Sequence, residues 1–324
     1  MRDVTLKQLR VLAAVARTGK ITSAASALGV TPPAVTLQLQ LLEENAGVPL
    51  FDRTHQGMRP TDAGRYVLGV QARIEAALAE CSESLMLLRG LGGGRVAVGA
   101  VSTAKYFAPR MLAAFAESHP QIDVRLIVGN REETIAALAE LELDIAIMGR
   151  PPETIAVEQQ AIGEHPHVII AAPRHRLAAP SGRRLALEAL SAETFLVRER
   201  GSGTRTLMER IFAKARLVPR IGMELDSNET IKQAVMAGLG IAFISAHTVA
   251  AEVETGRLAV LPVRGLPVVR RWYAVRNRRK HLLPAGTAMW EFLTSKGFGF
   301  LPDVSALLRP AAGKPHEAPR RGDN

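Results

Sequence analysis

Residues 24–43, AASALGVTPPAVTLQLQLLE, decide the fold of the N-terminal part of the chain. A short helix is predicted over Ser23–Leu28, and Gly29 ends it, because glycine readily adopts the left-handed conformation that closes helices. Thr31 then offers an N-cap and Pro32 takes the first helical position, so a second helix is predicted over Pro32–Asn45. Two helices joined by a short glycine-containing turn are typical of a helix-turn-helix unit.

The residues on either side of this pair extend the pattern. Apolar residues at positions 9, 12, 13 and 16 follow the i, i+3, i+4, i+7 spacing of an amphipathic helix that ends at Gly19. Helix spacing alone is equally compatible with a plain three-helix bundle whose outer face is solvated. Downstream, however, Pro49–Arg53 predicts a strand, Gln56–Gly57 a turn and Met58–Pro60 a returning strand, which favours a DNA-binding domain with a small β wing.

The outward positions of the second helix and the wing are the candidate DNA contacts. The second helix of such a unit enters the major groove with its N-terminal residues toward the bases. Thr36 and Gln40 offer hydrogen bonds to base edges or phosphates, and Leu37 an apolar contact with a thymine methyl. Basic side chains on the wing suit phosphates or the minor groove. The predicted set is Thr31, Pro32, Pro33, Thr36, Leu37, Gln40, Arg53 and Arg59.

The order of three motifs makes the resemblance specific. Residues 24–43, then GVPLFDR at 47–53 and MRPTDAG at 58–64, resemble the signature of LysR-type transcriptional regulators over the first 65 residues. This resemblance implies a winged helix-turn-helix domain over residues 1–65 that binds double-stranded operator DNA. Thr31-Pro32-Pro33 stands where the family commonly has Ser-Gln-Pro, and Leu37 where a polar or basic residue is common. These departures bear on the operator sequence and leave the fold unchanged.

A long helix is predicted next, over residues 61–90. Its residues Val67, Gln71, Ile74, Leu78, Cys81, Leu85 and Leu88 step by alternating intervals of four and three, the spacing of a heptad seam. A seam after a DNA-binding unit favours a homodimer joined through Ile74, Leu78, Cys81, Leu85 and Leu88, and two copies suit a palindromic operator. The alternative is one amphipathic helix packed on its own domain. Glycines at 90–94 predict a flexible linker.

Strands and helices alternate through residues 91–300. Strands are predicted at 95–100, 124–128, 143–148, 168–172, 221–225, 240–244 and 272–275, and helices at 104–118, 132–140, 206–214, 229–237 and 284–293. This alternation favours an α/β domain with parallel strands. The whole resembles a type 2 periplasmic binding protein, the fold of LysR-type effector domains, with two Rossmann-like lobes. Residues 301–324 are rich in Pro, Gly and charge, which predicts a disordered tail.

Ligands of open α/β lobes lie beyond the carboxyl ends of the strands. Segments at those positions carry hydroxyl, glycine, amide or basic residues, and helix N-termini favour anions. Ordinary helix capping remains the alternative for any one segment. The candidate effector-binding residues are Ser102, Thr103, Lys105, Asn130, Arg200, Gly201, Ser202, Gly203, Thr204, Arg205 and Asn228.

Two stretches of this domain narrow the resemblance. VSTAKYFAPR at 101–110 and RERGSGTR at 198–205 are most similar to LysR-type activators of carbon-fixation operons. That resemblance implies a small anionic effector, either a phosphorylated metabolite or a reduced pyridine nucleotide. It also implies a protein that activates a metabolic operon.

Composition limits the other classes. The single cysteine excludes a disulfide framework or a cysteine-ligated metal site, and His165 and His167 lack an evident third metal ligand. No apolar run reaches the roughly 18 residues of a membrane span, and no signal peptide is evident, so a cytoplasmic protein is expected. A solute-binding protein would need an export signal. No nucleophile–base pair or phosphate-binding loop is found, so neither an enzyme nor a cofactor is expected.

Net charge and assembly are less informative. The chain carries a formal charge of +10, but residues 264–324 hold 12 Lys and Arg against 4 Asp and Glu, far in sequence from the candidate recognition helix. Charge is therefore weak evidence for DNA binding in this chain. A homodimer and a tetramer remain equally compatible with the sequence.

Overall fold

A computed structural model describes residues 3–54, 57–88, 93–178 and 184–308. The described residues divide at Gly93 into an N-terminal unit and a C-terminal unit. Within these ranges, no helix combines the length and the apolar character needed to cross a bilayer.

The N-terminal unit is a winged helix-turn-helix. Its elements are α1 (Leu6–Thr18), α2 (Ile21–Leu28), α3 (Pro32–Ala46), β1 (Phe51–Thr54), β2 (Gly57–Pro60) and α4 (Asp62–Leu88). The centre of its core is formed by fully buried side chains, those of Leu12, Val15, Val35, Leu42 and Leu50. The three predicted helices and the two strands of the wing are confirmed, with α2 starting two residues before the predicted Ser23. Gln56 of the predicted wing turn lies outside the described residues.

Local signals set the ends of these helices. Thr5 and Gln8 form a reciprocal capping box at the start of α1. Gly29 ends α2 with φ 64°, a left-handed conformation that most residues avoid. Thr31 occupies the N-cap of α3 as predicted, but its side chain makes no capping hydrogen bond. Pro32 at the first helical position, whose φ is already helical, marks this start instead.

The long helix α4 is capped at its start by Thr61. The Thr61 hydroxyl accepts a hydrogen bond from the Gly64 amide at 3.0 Å. An ion pair at 2.7 Å between Arg10 and Glu75 joins α4 to α1. Gly64 packs close to the backbone of Leu50, where a Cβ would approach the carbonyl oxygen to 2.1 Å. The first half of α4 is therefore part of the N-terminal fold.

The C-terminal unit is a two-lobed α/β domain. Its strands are β3 (Gly94–Val101), β4 (Ile122–Gly129), β5 (Ile145–Met148), β6 (Val157–Ala171), β7 (Thr194–Arg198), β8 (Arg220–Leu225), β9 (Ala242–Ser245), β10 (Ala259–Val260) and β11 (Val268–Asn277). Its helices are α5 (Ala108–Ser118), α6 (Arg131–Ala139), α7 (Gly203–Lys214), α8 (Asn228–Met236), α9 (Ala250–Glu254), α10 (Pro284–Lys296) and α11 (Ser305–Leu308). This confirms the predicted fold class.

Strand order shows how the lobes are joined. One seven-stranded sheet has the order β10-β6-β11-β5-β3-β4, with β9 also paired to β6, and β7 pairs with β8 in a second sheet. Strands β3, β4 and β5 are parallel, as are β7 and β8. The long strands β6 and β11 are antiparallel and join the first-lobe strands to those of the second lobe. The sheet is therefore mixed, although a parallel one was expected.

Some predicted elements of this unit were wrong in extent, and some elements were not predicted. The helix predicted over Ala104–Ser118 is a 3-10 turn at Ala104–Tyr106 followed by α5, and the backbone changes direction at Phe107. Strand β6 begins at Val157 and not at Val168, because pairing with β11 orders a polar stretch that has no strand pattern of its own. Strand β7 was not predicted.

Buried aromatic residues mark the cores of the two lobes. Phe107, Phe115 and Trp272 are at the centre of the first, and Phe195 and Phe212 of the second. The tail predicted to be disordered from residue 301 is folded at its start, because α11 is helical and Val304 is buried among second-lobe residues. Residues 309–324, and residues 90–92 of the predicted linker, lie outside the described residues.

Candidate DNA-binding and effector-binding sites

The recognition helix α3 presents a polar and apolar face to solvent. Thr31, Pro32, Pro33 and Gln40 are exposed, and Leu37 is 53% exposed. An exposed leucine at this position has room to contact a base methyl group. The opposite face holds the buried core residues of the helix, so the outward face carries the candidate contacts.

Thr36 is less available than the sequence suggests. It is half-buried, and its hydroxyl donates to the Pro32 carbonyl at 3.1 Å. The hydroxyl oxygen keeps acceptor capacity but its proton is used within the helix. Gln40 is therefore the stronger candidate for hydrogen bonds to a base.

The wing holds the two predicted basic residues on different faces. In the antiparallel β1–β2 pair, Arg53 is opposite Met58, and Arg59 is opposite Asp52. Since side chains alternate between faces along a strand, Arg53 and Arg59 point to opposite sides of the hairpin. Both are exposed, so each is accessible to a phosphate, and from opposite faces they would meet different parts of a DNA backbone.

The predicted seam on α4 divides into two parts. Val67 is buried and Ile74 is half-buried, and both pack against the N-terminal core. Leu78 and Leu85 are 43% and 55% exposed, and Cys81 is also exposed. The outer part of the helix thus carries the apolar surface available to a partner. The side chain of Leu88 lies outside the described residues.

A cavity of about 90 Å³ lies in the C-terminal unit, between the end of β3 and the start of α7. Of the predicted effector residues, Ser102, Thr103, Ser202, Gly203 and Thr204 line it. Ser202 is the N-cap of α7, and the first amide to bond back into that helix is that of Thr206. The amides of the first turn are thus left to the cavity side, where a helix N-terminus favours an anion.

Ser102 is held by the second lobe. Its hydroxyl accepts a hydrogen bond from the Arg198 guanidinium at 3.0 Å, and its carbonyl accepts one from the Asn228 amide at 3.3 Å. Arg198 is buried and also contacts Asn228 at 2.6 Å and Glu199 at 2.7 Å. Asn228 therefore supports the cavity wall and does not line it. A ligand at Ser102 would touch a residue that joins both lobes.

Four arginines that the sequence did not single out line the same cavity: Arg131, Arg150, Arg210 and Arg270. Arg150 pairs with Glu153 at 2.6 Å. Among the described residues, no carboxylate forms an ion pair with the other three. Burial lowers the pKa of Arg131 and of Arg270, and the nearby Arg150 lowers both further. The cavity wall therefore has a surplus of positive charge that an anion would offset.

The sequence held signals for two of these arginines. Arg131 directly follows Asn130 at the end of β4, and Arg150 follows β5 by two residues. Both fit the rule that ligands lie beyond the carboxyl ends of strands. Arg210 shares a face of α7 with Gly203, Thr206 and Leu207, positions three or four residues apart. Arg270, in the middle of β11, had no local signal.

The remaining predicted effector residues have other contacts. The Lys105 ammonium lies 5.4 Å from the centre of the Tyr106 ring. Asn130 caps α6, since its side-chain oxygen accepts the Glu133 amide hydrogen at 3.0 Å. Arg200 is exposed, and Gly201 forms a turn with φ 88°. None of these four lines the cavity.

Arg205 is the clearest correction. Its buried guanidinium contacts Glu209 at 2.6 Å, Glu224 at 2.8 Å and the Arg198 carbonyl at 2.9 Å. Burial lowers the pKa of Arg205, but the two carboxylates more than offset this and raise it overall. Its charge is neutralised by the protein and it does not line the cavity, so the structure does not support its predicted role as an effector contact. In the described ranges, no group of three or more His, Cys, Asp or Glu is placed to bind a metal ion.

Comparison with known proteins agrees with this architecture. Residues 6–65 match the family of bacterial regulatory helix-turn-helix proteins, lysR family, and residues 89–297 match the LysR substrate binding domain. The chain belongs to the LysR family, and is thus a DNA-binding transcriptional regulator with an effector-binding domain. The solute-binding and enzyme interpretations are thereby set aside.

Individual relatives are regulators of carbon fixation. The chain is 53% identical to the HTH-type transcriptional regulator CbbR of Xanthobacter flavus, over 93% of this chain and 90% of that protein. It is 43% identical to the RuBisCO operon transcriptional regulator of Allochromatium vinosum, over 90% of this chain and 96% of that protein.

Among solved structures, the regulatory domain of Synechocystis PCC6803 CcmR in complex with 2-PG is 36% identical. The match covers 62% of this chain and 96% of that domain, with a TM-score of 0.59. The LysR family regulator CbnR is 24% identical, and its match has a TM-score of 0.60 and covers 89% of this chain and 98% of that protein. This likeness supports the fold.

Proposed function

We propose that this regulator activates a carbon-fixation operon in response to a small phosphorylated metabolite bound in the C-terminal cavity. The observation that carries the proposal is the group of four arginines around the N-terminus of α7. The names of the relatives support the choice of operon, and the 2-PG complex of a related domain supports a phosphorylated ligand. DNA binding implies that the protein acts in the cytoplasm.

The chemistry of the cavity favours a phosphate group. Arginine pairs with phosphate oxygens through parallel N–H···O bonds, and backbone amides at a helix start add further donors. Ser102, Thr103 and Thr204 supply hydroxyl groups at the same wall. A dianionic phosphate would offset more of the arginine repulsion than a single carboxylate does.

The size of the cavity favours a compact ligand. Its volume of about 90 Å³ suits a metabolite of few heavy atoms. A reduced pyridine nucleotide is larger and would also have to occupy the adjoining open cavity, which shares Gly149, Arg150 and Arg270 with this one. Of the two effector classes that the family resemblance implies, the phosphorylated metabolite is therefore the better match.

A ligand affects DNA binding only if it prefers one arrangement of the protein over another. Ser102, which faces the cavity and bonds to Arg198 of the second lobe, is the contact through which a ligand would change the lobe arrangement. A homodimer joined through the exposed part of α4 would carry two recognition helices to a palindromic operator, and two dimers would form a tetramer. A coupling of about 1–3 kcal/mol changes operator affinity roughly 5- to 150-fold.

Calorimetry of the full chain against phosphate monoesters, followed by gel shifts, tests this function. We expect at least one ester to bind and to alter the affinity for DNA upstream of carbon-fixation genes. Arg220→Gln, a change at an exposed position of β8, is the matched control and should bind like the parent. Absence of binding by every ester would refute the phosphorylated effector, and absence of a gel shift would refute the operon assignment.

A further inference from the structure

A buried imidazole in the cavity wall has one ring nitrogen without a partner. His165, on β6, is 4% exposed and lines the cavity. Its Nε2 lies 3.0 Å from the Ser245 hydroxyl. Its Nδ1 is buried and has no hydrogen-bond partner among the described residues. Buried polar atoms are rarely left unpaired, so contact with a ligand would explain why this nitrogen has no partner within the protein.

The ring is fixed in this orientation by its neighbours. His165 stacks on Trp272 with ring centres 3.7 Å apart and planes 16° apart. Trp272 is itself held, since its indole N–H donates to His247 Nδ1 at 3.0 Å. The imidazole therefore cannot turn toward another protein partner without losing its stacking and its contact with Ser245.

Gly149 lies against the Nδ1 edge of the ring, which is buried in the absence of a ligand. Both residues line the cavity, and a Cβ atom on Gly149 would lie 2.7 Å from Nδ1. Real Cβ atoms essentially never approach another atom so closely. Any side chain at this position would crowd the nitrogen, so glycine is needed here for space beside His165.

The unpaired nitrogen lies close to the arginine cluster. In the β6–β11 pair, His165 is directly opposite Arg270. Side chains opposite each other on one face of a sheet start about 5 Å apart. A compact ligand with its anionic group at Arg270 therefore reaches His165 with another of its atoms.

The imidazole is neutral, so it does not serve as a second anion site. Burial, with His167, His247 and Arg270 nearby, holds the pKa of His165 well below its usual value. The Ser245 hydroxyl can donate to Nε2 or accept from it, which leaves Nδ1 either protonated or bare. A ligand hydroxyl can likewise donate or accept, so it pairs with Nδ1 in either tautomer.

We propose that His165 Nδ1 recognises a hydroxyl group of the effector, which makes the effector a hydroxylated phosphate ester. This inference rests on the proposed function, because it concerns the same cavity, and it adds the chemical class of the ligand. A site that hydrogen-bonds a ligand hydroxyl rejects the analogue that lacks it, because the buried nitrogen then stays unpaired.

Matched ligands measure this preference in the full chain. Glycerol 3-phosphate is compared with propyl phosphate, and 3-phosphoglycerate with its 2-deoxy counterpart, by calorimetry. The parent should bind at least one hydroxylated ester about tenfold or more tightly than its deoxy partner. Inorganic phosphate serves as the probe for the arginine cluster alone.

Two substitutions at His165 separate its nitrogens. His165→Asn places a polar atom near the Nδ1 position, whereas His165→Gln places one near Nε2 and keeps the Ser245 contact. We expect the asparagine variant to retain most of the preference and the glutamine variant to bind both esters within about twofold. Gly149→Ala, which keeps the imidazole but crowds its Nδ1, should also remove the preference.

Each outcome bears on one of the two proposals. A parent that binds inorganic phosphate but shows no hydroxyl preference in either pair would overturn the role of His165 and leave the proposed function intact. The same holds if the preference persists in His165→Gln, or if both His165 variants lose it equally, which would indicate a packing role. If neither inorganic phosphate nor any ester binds the parent, the proposed function fails as well.

Discussion

Replacing Arg270 with glutamine should weaken ligand binding and stabilise the unliganded protein at the same time. Burial and two neighbouring arginines, Arg150 and Arg210, lower the pKa of Arg270, so its charge is unfavourable in the absence of an anion. Glutamine keeps much of the side-chain length without the charge. Binding sites commonly hold such locally unfavourable groups, and their removal raises stability at the expense of function.

The two effects have different sizes. A hydrogen bond to a charged group contributes about 1.5–3 kcal/mol, so affinity for a phosphate ester should fall roughly 10- to 150-fold. Removing the half-buried, unneutralised charge should increase the free energy of unfolding by about 0.5–2 kcal/mol. The opposite signs make this a sharper test than a loss of binding alone.

Arg205→Gln is the matched control and should show the reverse pattern. Its guanidinium contacts Glu209 and Glu224 and does not line the cavity. We expect the free energy of unfolding to fall by about 1–3 kcal/mol, since the Arg198 carbonyl, which is part of a buried hydrogen bond, and the two carboxylates lose the guanidinium that donates to them. Ester affinity should stay within about twofold of the parent, because the cavity-facing side of α7 is unchanged.

Urea unfolding gives the stability of each variant without ligand, and calorimetry gives the affinity for the ester that binds the parent. An Arg270→Gln protein that is less stable than the parent and binds equally well would refute the reasoning. In that case the cluster would stabilise the fold, and the anion would bind elsewhere.

Three further predictions concern pH, assembly and DNA. The pKa of His167 is lowered by burial to about 3 and that of His247 to about 4. Both are neutral in the folded protein, so the stability that depends on their neutral form is fully present above pH 6.5 and is lost as the pH falls below it. Between pH 7 and 5, each histidine should lower the free energy of unfolding by about 2 kcal/mol. His247→Gln should make the loss of stability in acid smaller, as measured by acid unfolding. Leu78→Asp should weaken the dimer by burying a charge at the exposed part of α4, and an unchanged sedimentation profile would contradict the seam. Arg53→Ala should lower the salt dependence of binding by about one ion for specific and random DNA alike, whereas an unchanged slope would exclude a phosphate contact.

The sequence by itself determined the N-terminal unit almost completely. Helix ends at Gly19 and Gly29, the proline start of α3 and the two short strands of the wing all depend on residues within a few positions of one another. Such local signals act through hydrogen bonds between near neighbours, so they are visible in a linear pattern. The capping of α4 by Thr61 is explained in the same way.

The cavity was only partly predictable. The carboxyl ends of strands identified Ser102, Thr103 and the start of α7, since sheet topology follows from alternating strands and helices. The sequence analysis selected Arg205 and not Arg210 as an effector contact, although both are on α7 and Arg210 is the one that lines the cavity. Five residues along a helix change the direction of a side chain by about 140°, so only packing shows that Arg210, and not Arg205, faces the cavity.

Tertiary structure alone decided the electrostatics of the site. Arg131, Arg150, Arg210 and Arg270 are far apart in the sequence and come from different elements. Pairing of the long strands β6 and β11 places Arg270 opposite His165, and no short-range pattern records that register. Whether a charge is neutralised depends on which carboxylates the folded chain brings near it, and that is a property of distance in space and not of position in the sequence.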